Sequence, residues 1–282
     1  MSVRTIGVIG AGAMGSGISE IAAIAGVNVI LIDINDAALA KGLETIGGNL
    51  ARQVAKSKIT DAEKETALGL IHGTTTFGEL KPADIVIEAA IEEVNLKVNI
   101  LKQLDALVGG ETIIATNTSS ISITKLASAI SHPHRLIGMH FFNPVTVMTL
   151  VEIVRGLQTS DATHDAIEAL ALELGKTPIT VKSGPGFVVN RILLPMINEA
   201  FFVLAEGDTN PTDIDLGMKL GCNHPIGPLA LADLIGLDVL LAVLQTIHDE
   251  FADSKYRPCP LLREMVAAGY LGRKTGRGVY RY

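Results

Sequence analysis

Of the chain's seven histidines, His140 ends an apolar run, Leu136-Ile137-Gly138-Met139, and is followed by Phe141-Phe142-Asn143-Pro144. Imidazole is the side chain best suited to moving a proton near neutral pH. A histidine in an apolar run is commonly a hydrogen-bonded core residue, and it is the position at the end of a strand-like segment that makes His140 a candidate acid–base. Glu152 is embedded in Leu150-Val151-Glu152-Ile153-Val154. A carboxylate among aliphatics is expensive to bury alone. Paired with His140, it would fix the imidazole tautomer and stabilise its protonated form. The competing reading leaves Glu152 as a barely buried acid on an edge strand. Ser119 follows a further apolar run, in Ile113-Ile114-Ala115-Thr116-Asn117-Thr118-Ser119-Ser120. It either shapes the turn before a helix beginning near Ser122 or donates a hydrogen bond to a substrate oxygen. Asn190 lies among Val and Ile early in a helical stretch, where asparagine is unfavourable unless something satisfies it. The same substrate oxygen is one candidate. His132 and His134 flank Pro133 and read as surface residues, and no histidine spacing points to a metal site.

The element that must position a partner for these groups is at the start of the chain. Ile6-Gly7-Val8-Ile9 breaks into Gly10-Ala11-Gly12-Ala13-Met14-Gly15-Ser16-Gly17, and Val29-Ile30-Leu31-Ile32 then ends in Asp33. Strand, glycine loop, small-residue helix, second strand and terminal acid, in that order, form a dinucleotide fingerprint. Gly10 permits the tight turn, Gly12 lets the backbone approach a pyrophosphate, and Gly15 lets the helix pack on the strand. The helix N-terminus offers N–H groups to the phosphates. Asp33 can accept both hydroxyls of an adenosine ribose and would repel a 2′-phosphate, which favours NAD over NADP. The expected chemistry is therefore hydride transfer by a nicotinamide cofactor beside a protein acid–base.

Residues 6–9, 29–32, 85–88, 113–116, 136–140 and 149–154 read as short buried strands, most of them separated by helical stretches. That alternation implies an α/β fold with a parallel, doubly wound Rossmann-type sheet, and Ile179-Thr180-Val181 is its expected last strand. The stretch from Asp33 to Thr74-Thr75-Thr76-Phe77 is longer than a simple crossover needs. Asp36 is placed to cap a helix running to about Lys58, and Thr60, Asp61 and Glu63 to start another. This predicts a helical hairpin inserted near residues 36–72. Its basic residues Arg52, Lys56, Lys58 and Lys64 form either a solvated face or a clamp for an anionic substrate handle. Ser183-Gly184-Pro185-Gly186 marks a boundary between a nucleotide-binding domain, residues 1–183, and an all-α substrate and dimerisation domain, residues 184–282. Helices are expected over 187–206, kinked at Pro195, then 212–220, 229–251 with a break near Gly236, and 261–268. A small, strongly apolar helical domain predicts a homodimer through this region.

Net charge is −7 and only 4% of the 282 residues are aromatic, which argues against nucleic-acid binding and against a basic membrane face. Cys222 and Cys259 form no disulfide framework, as expected of a protein of the reducing cytoplasm. Arg4 before an apolar stretch imitates a signal peptide, but cleavage there would destroy the fingerprint. The apolar stretch 228–247 contains Asp233 and Asp238, each costing about 2.5–3.5 kcal/mol at a bilayer centre. It reads as a buried helix pair rather than a membrane span.

Together these residues resemble the L-3-hydroxyacyl-CoA dehydrogenase family, and within it the bacterial 3-hydroxybutyryl-CoA dehydrogenases. The resemblance runs over essentially the whole chain. It rests on the opening glycine loop, Ala90-Ile91-Glu92-Glu93 followed by Lys97, Asn117-Thr118-Ser119-Ser120, His140-Phe141-Phe142-Asn143-Pro144, Pro185-Gly186-Phe187 leading to Asn190-Arg191, and Gly272-Arg273-Lys274-Thr275-Gly276-Arg277-Gly278. No hydratase segment is attached, as in the monofunctional members. The resemblance implies reversible hydride transfer between C3 of an acyl-CoA and NAD, with acetoacetyl-CoA and 3-hydroxybutyryl-CoA as substrates. His140 would exchange the 3-hydroxyl proton, Glu152 would orient His140, and Ser119 and Asn190 would hold the substrate. Gly10, Gly12, Met14, Gly15, Asp33, Glu92, Lys97, Asn117, Asn143 and Lys274 would form the NAD site, and Lys56 would meet the CoA. Two other readings stand beside it: a β-hydroxyacid dehydrogenase for a small free acid, which would rely on a lysine of the helical domain, and a non-catalytic NAD-binding protein.

Overall fold

A computed structural model describes residues 3–282. Strands β1 (Thr5–Ile9), β2 (Asn28–Ile32), β3 (Ile71–Thr74), β4 (Ile85–Glu88), β5 (Ile113–Thr116), β6 (Leu136–Phe141), β7 (Leu150–Arg155) and β8 (Thr177–Lys182) form one sheet in the order β3-β2-β1-β4-β5-β6-β7-β8. β4 and β5 are buried at every residue, as expected for strands covered on both faces. The strand order reverses between β1 and β4, which pair in parallel. That switch point opens a crevice at their C-terminal ends, where doubly wound sheets bind ligands.

The sheet is not parallel throughout, as its alternation predicted. β7 runs antiparallel to β6, and β8 follows β7 in parallel. The cause is the short connection over residues 142–149. A parallel return needs a crossover of about a dozen residues or more, so the chain turns back. The consequence is chemical, because the antiparallel register sets His140 directly opposite Glu152.

Helices α1 (Ala13–Ile24), α2 (Asp36–Ala55), α3 (Asp61–Gly69), α4 (Val94–Leu107), α5 (Ile123–Ala127) and α6 (Asp161–Glu173) accompany the strands. α2 and α3 are the inserted hairpin and pack on α1. The cap of α2 is Asn35, whose side chain accepts from Ala38 N at 2.9 Å, and not Asp36. Asp36 instead lies in the first turn, where its charge suits the helix dipole. Thr60 and Glu63 form a reciprocal capping box that starts α3. Ile6, Val8, Ile18, Leu31, Ile87 and Ile153 lie in one continuous core.

The chain divides into two units, one ending at Ser183 and the next starting at Gly184. The second is helical: α7 (Val189–Glu206) runs through Pro195, and α8 (Pro211–Gly221), α9 (Pro228–Ile235), α10 (Leu237–Phe251) and α11 (Pro260–Ala267) follow. Its own core includes Leu194, Ile197, Phe201, Leu229, Leu240, Leu244 and Cys259. α9 and α10 bend by 98° at Gly236, and among the described residues no single helix is long and apolar enough to cross a membrane. The two aspartates of this stretch have structural partners. Asp233 accepts from Val279 N and Tyr280 N, each at 2.9 Å, and Asp238 binds Lys274 Nζ at 2.6 Å.

Candidate active site

The glycine loop closes because Gly10 adopts φ +101° and its N–H donates to Ile32 O at 2.7 Å. A Cβ at Gly15 would lie 1.7 Å from Gly10 O, so only glycine lets α1 approach the loop this closely. A Cβ at Gly12 would meet nothing within 4 Å. The backbone there faces open space, and no side chain caps α1. Its leading N–H groups are thus presented to an external acceptor. These are the properties a pyrophosphate cradle requires, and the residues present fit a dinucleotide. Met14, in the first turn of α1, is partly buried. Asp33, after β2, accepts from Ala11 N at 2.6 Å and from Ile34 N at 2.7 Å. Its carboxylate braces the loop.

At the end of β6, His140 Nδ1 lies 2.7 Å from Glu152 Oε2, with His140 5% and Glu152 0% exposed. Against an ionised carboxylate, which only accepts, Nδ1 is the donor of this bond. Register alone does not bury an acid. β7 is flanked by β6 and β8, and Glu152 sits within the sheet rather than on an edge strand. The Phe142 ring packs against the imidazole with centroids 4.6 Å apart. Asn117 Oδ1 accepts from Phe141 N at 2.9 Å and so ties the loop after β5 to the histidine's neighbour. Asn143 is exposed just beyond β6, and its bond to Pro144 is cis.

The loop carrying Ser119 is held from the connection that follows β4. Glu92 Oε1 accepts from Ser119 N at 2.8 Å and from Thr118 Oγ1 at 2.6 Å. Burial resists ionisation of Glu92, but the Lys97 ammonium and the bonds from Thr118, Ser119 and Ser120 prevail and hold its carboxyl below the usual range. Ser122 caps α5, accepting from Lys125 N, so Ser119 is not the cap. Lys97 is buried and paired. It is 1% exposed, and its ammonium meets Glu88 Oε1 at 2.7 Å, Glu88 Oε2 at 3.0 Å and Ala90 O at 3.2 Å. A buried ammonium needs such partners. Glu88, which sequence reasoning noted only as a polar strand end, is the acid that supplies them. The signal for it is an acid ending Ile85-Val86-Ile87 with a lysine, Lys97, in the first turn of the helix that follows.

In the hairpin, Lys56 is the C-terminal cap of α2, and it and Lys58 are exposed around the turn. Arg52 is held by Asn49, and Lys64 pairs with Glu65 at 3.3 Å. In the helical unit, Asn190 is the second residue of α7 and Lys274 is held by Asp238. His164, Asp165 and Glu168 on α6 cluster closely enough to ligate a metal. Both ring nitrogens of His164 are already engaged, at 2.9 Å by Asp165 and 2.8 Å by Thr180.

Comparison with known proteins covers the whole length. Residues 5–184 match the 3-hydroxyacyl-CoA dehydrogenase NAD binding domain, and residues 186–282 match the C-terminal domain of the same family. A 3-hydroxybutyryl-CoA dehydrogenase of Bradyrhizobium diazoefficiens is 51% identical over 280 residues, covering 99% of this chain and 96% of the relative. One from Clostridioides difficile is 48% identical over 277 residues, covering 98% and 99%. The crystal structure of (S)-3-hydroxybutyryl-CoA dehydrogenase PaaH1 from Ralstonia eutropha is 64% identical, with a TM-score of 0.98 over 100% of this chain and 99% of that one.

Proposed function

This chain belongs to the 3-hydroxyacyl-CoA dehydrogenase family, and from that premise we propose that it interconverts (S)-3-hydroxybutyryl-CoA and acetoacetyl-CoA with NAD as its cofactor. The observation that carries the reading is the buried His140–Glu152 pair, 2.7 Å apart at a strand end of a sheet that also bears the dinucleotide loop.

Bound NAD supplies one step, acceptance of the hydride from C3 of the substrate. The remaining work falls to this chain. His140 Nε2 takes the proton of the 3-hydroxyl as the carbonyl forms, and returns it in the reverse direction. Glu152 holds the ring through Nδ1 and stabilises the imidazolium produced. Ser119 donates to the 3-oxygen, where negative charge gathers in the transition state. The N–H groups of α1 and the loop Gly10, Gly12 and Gly15, with Met14 beside them, would hold the cofactor's pyrophosphate, and Asp33 would read its ribose. Asn117 and Asn143 as further cofactor contacts follow from the family resemblance. Asn190 as a second substrate contact, Lys274 and Glu92 as cofactor contacts, and Lys56 as a contact for the polyanionic CoA follow from the family resemblance. A local basic patch can attract CoA despite the net charge of −7.

The discriminating experiment is spectrophotometric: NADH oxidation with acetoacetyl-CoA, a longer 3-oxoacyl-CoA and free acetoacetate, each repeated with NADPH. Turnover of the thioesters and not of the free acid supports the reading. Equal turnover of free acetoacetate would shift it to a hydroxyacid dehydrogenase, and NADH binding without turnover of any acyl-CoA would leave a binding protein. The chain is further proposed to work in the cytoplasm as a homodimer joined through the helical unit. Exposed apolar residues there, Ile192 at 68% and Leu220 at 77%, offer surface that a second copy would cover. A monomer at micromolar concentration by light scattering removes that proposal.

A further inference from the structure

Glu92 lies in the short connection between β4 and α4, and one of its oxygens is a hub. Oε1 accepts from Thr118 Oγ1 at 2.6 Å, Ser119 N at 2.8 Å, and Ser119 Oγ, Ser120 N and Ser120 Oγ each at 3.2 Å. Oε2 faces Lys97 Nζ at 3.4 Å. Lys97 is in turn clamped by Glu88, which accepts from Thr116 Oγ1 at 2.6 Å. The segment 116–120 is thus held at both ends by two acids, Glu88 at the end of β4 and Glu92 in the connection after it, cross-tied by one buried ammonium.

The bonds to Ser119 differ in kind. The N–H bond has ordinary length, so the serine's backbone is fixed. The Oγ contact is beyond the roughly 3.0 Å limit of an ordinary O–H···O bond. A carboxylate only accepts, so the serine proton points toward Glu92 without being locked there. Such a hydroxyl keeps its rotamer while the site is empty of substrate and turns to a stronger acceptor at little cost.

We propose that Glu92 is a positioning residue for Ser119, fixing the serine's backbone and presenting its hydroxyl to the 3-oxygen of the substrate. The inference rests on the reading of Ser119 as the group that meets that oxygen. It goes beyond the cofactor contact that the family resemblance implies for Glu92, which alone would change NADH affinity but not the kinetic dependence on Ser119.

A double-mutant cycle in kcat for acetoacetyl-CoA reduction, with NADH Kd measured in parallel by fluorescence, tests it. Glu92→Ala is expected to lower kcat by about ten- to a hundredfold, the range for a displaced reacting group. Ser119→Ala is expected to do the same. The double variant should fall no more than about twofold below the worse single one, because no hydroxyl remains to be placed. Glu92→Gln, whose amide oxygen accepts the same N–H, should recover kcat to within roughly threefold of the parent. If circular dichroism shows that Glu92→Ala does not fold, the same cycle is run with Glu92→Asp, which keeps the charge beside Lys97 and only withdraws the carboxylate. Losses that multiply in the double variant overturn the positioning role while leaving Ser119 in place. A Ser119→Ala single variant with undiminished kcat overturns both, and that failure is visible without the cycle.

Discussion

Replacing Glu152 by glutamine removes the charge from a fully buried pair and keeps its shape. The carboxylate is 0% exposed and lies 2.7 Å from Nδ1 of a histidine that is itself 5% exposed. The glutamine oxygen still accepts from Nδ1–H, so tautomer and ring position survive. What is lost is the difference between a charged and a neutral acceptor as the imidazolium forms. A hydrogen bond to a charged group is worth about 1.5–3 kcal/mol, against about 1 kcal/mol for a neutral one. The full charged bond sets the upper limit, and at about 1.4 kcal/mol per factor of ten the loss in kcat lies between a few-fold and roughly 150-fold. Glu152→Ala removes the orienting bond as well and should cost more than glutamine. The assay is steady-state oxidation of NADH with acetoacetyl-CoA, with KM for both substrates and a circular dichroism melt as controls. A folded Glu152→Gln enzyme with kcat unchanged, or an alanine variant more active than the glutamine one, refutes the argument that the charge serves the histidine.

Four further outcomes follow from the geometry and charges. Gly15→Ala should lower stability by about 1–3 kcal/mol, the range for overpacking, because its Cβ would sit 1.7 Å from Gly10 O. Gly12→Ala meets nothing within 4 Å, so it should melt like the parent and lose NADH affinity instead; calorimetry and fluorescence titration separate the two. Asp105 reports on acid stability. Burial opposes its ionisation, but bonds from Arg135, Ser131 N–H and His132 prevail and bring its pKa down from 3.8 to about 2. Because the folded value lies below the unfolded one, this carboxylate contributes about 2 kcal/mol that is complete above a pH of about 4 and lost as pH falls toward 2. Asp105→Asn should therefore be less stable at neutral pH, with the gap closing in melts taken toward pH 2. Finally, NADPH should support turnover at least about tenfold less well than NADH, and Asp33→Ala should narrow that ratio.

The parts of this molecule that could be read from sequence are those governed by local rules. Glycine spacing after an apolar strand announces the loop from Gly10 to Gly15, and the Thr60 and Glu63 pair announces the start of α3. The direction of β7 was missed although its cause is short-range: residues 142–149 are too few for a parallel crossover. Asn35 and Asp36 are both good caps, and only the backbone decides between neighbours. The resemblance puts Lys97 in the cofactor site, but its pairing with Glu88 is not written in it. The burial of Lys97 depends on how α4 packs against β4, which no local pattern records. The Glu92 hub joins residues 26–28 positions apart in the segments that follow β4 and β5, so sequence shows its members but not their meeting.

The central claim is that His140 moves the substrate proton, and the most direct measurement is turnover of acetoacetyl-CoA by His140→Ala enzyme whose fold and NADH binding are verified on the same sample. General acid–base catalysis contributes about 10²–10⁴-fold. A loss of that order in kcat with NADH affinity retained is the predicted result. Near-parental turnover in the folded variant would contradict the account.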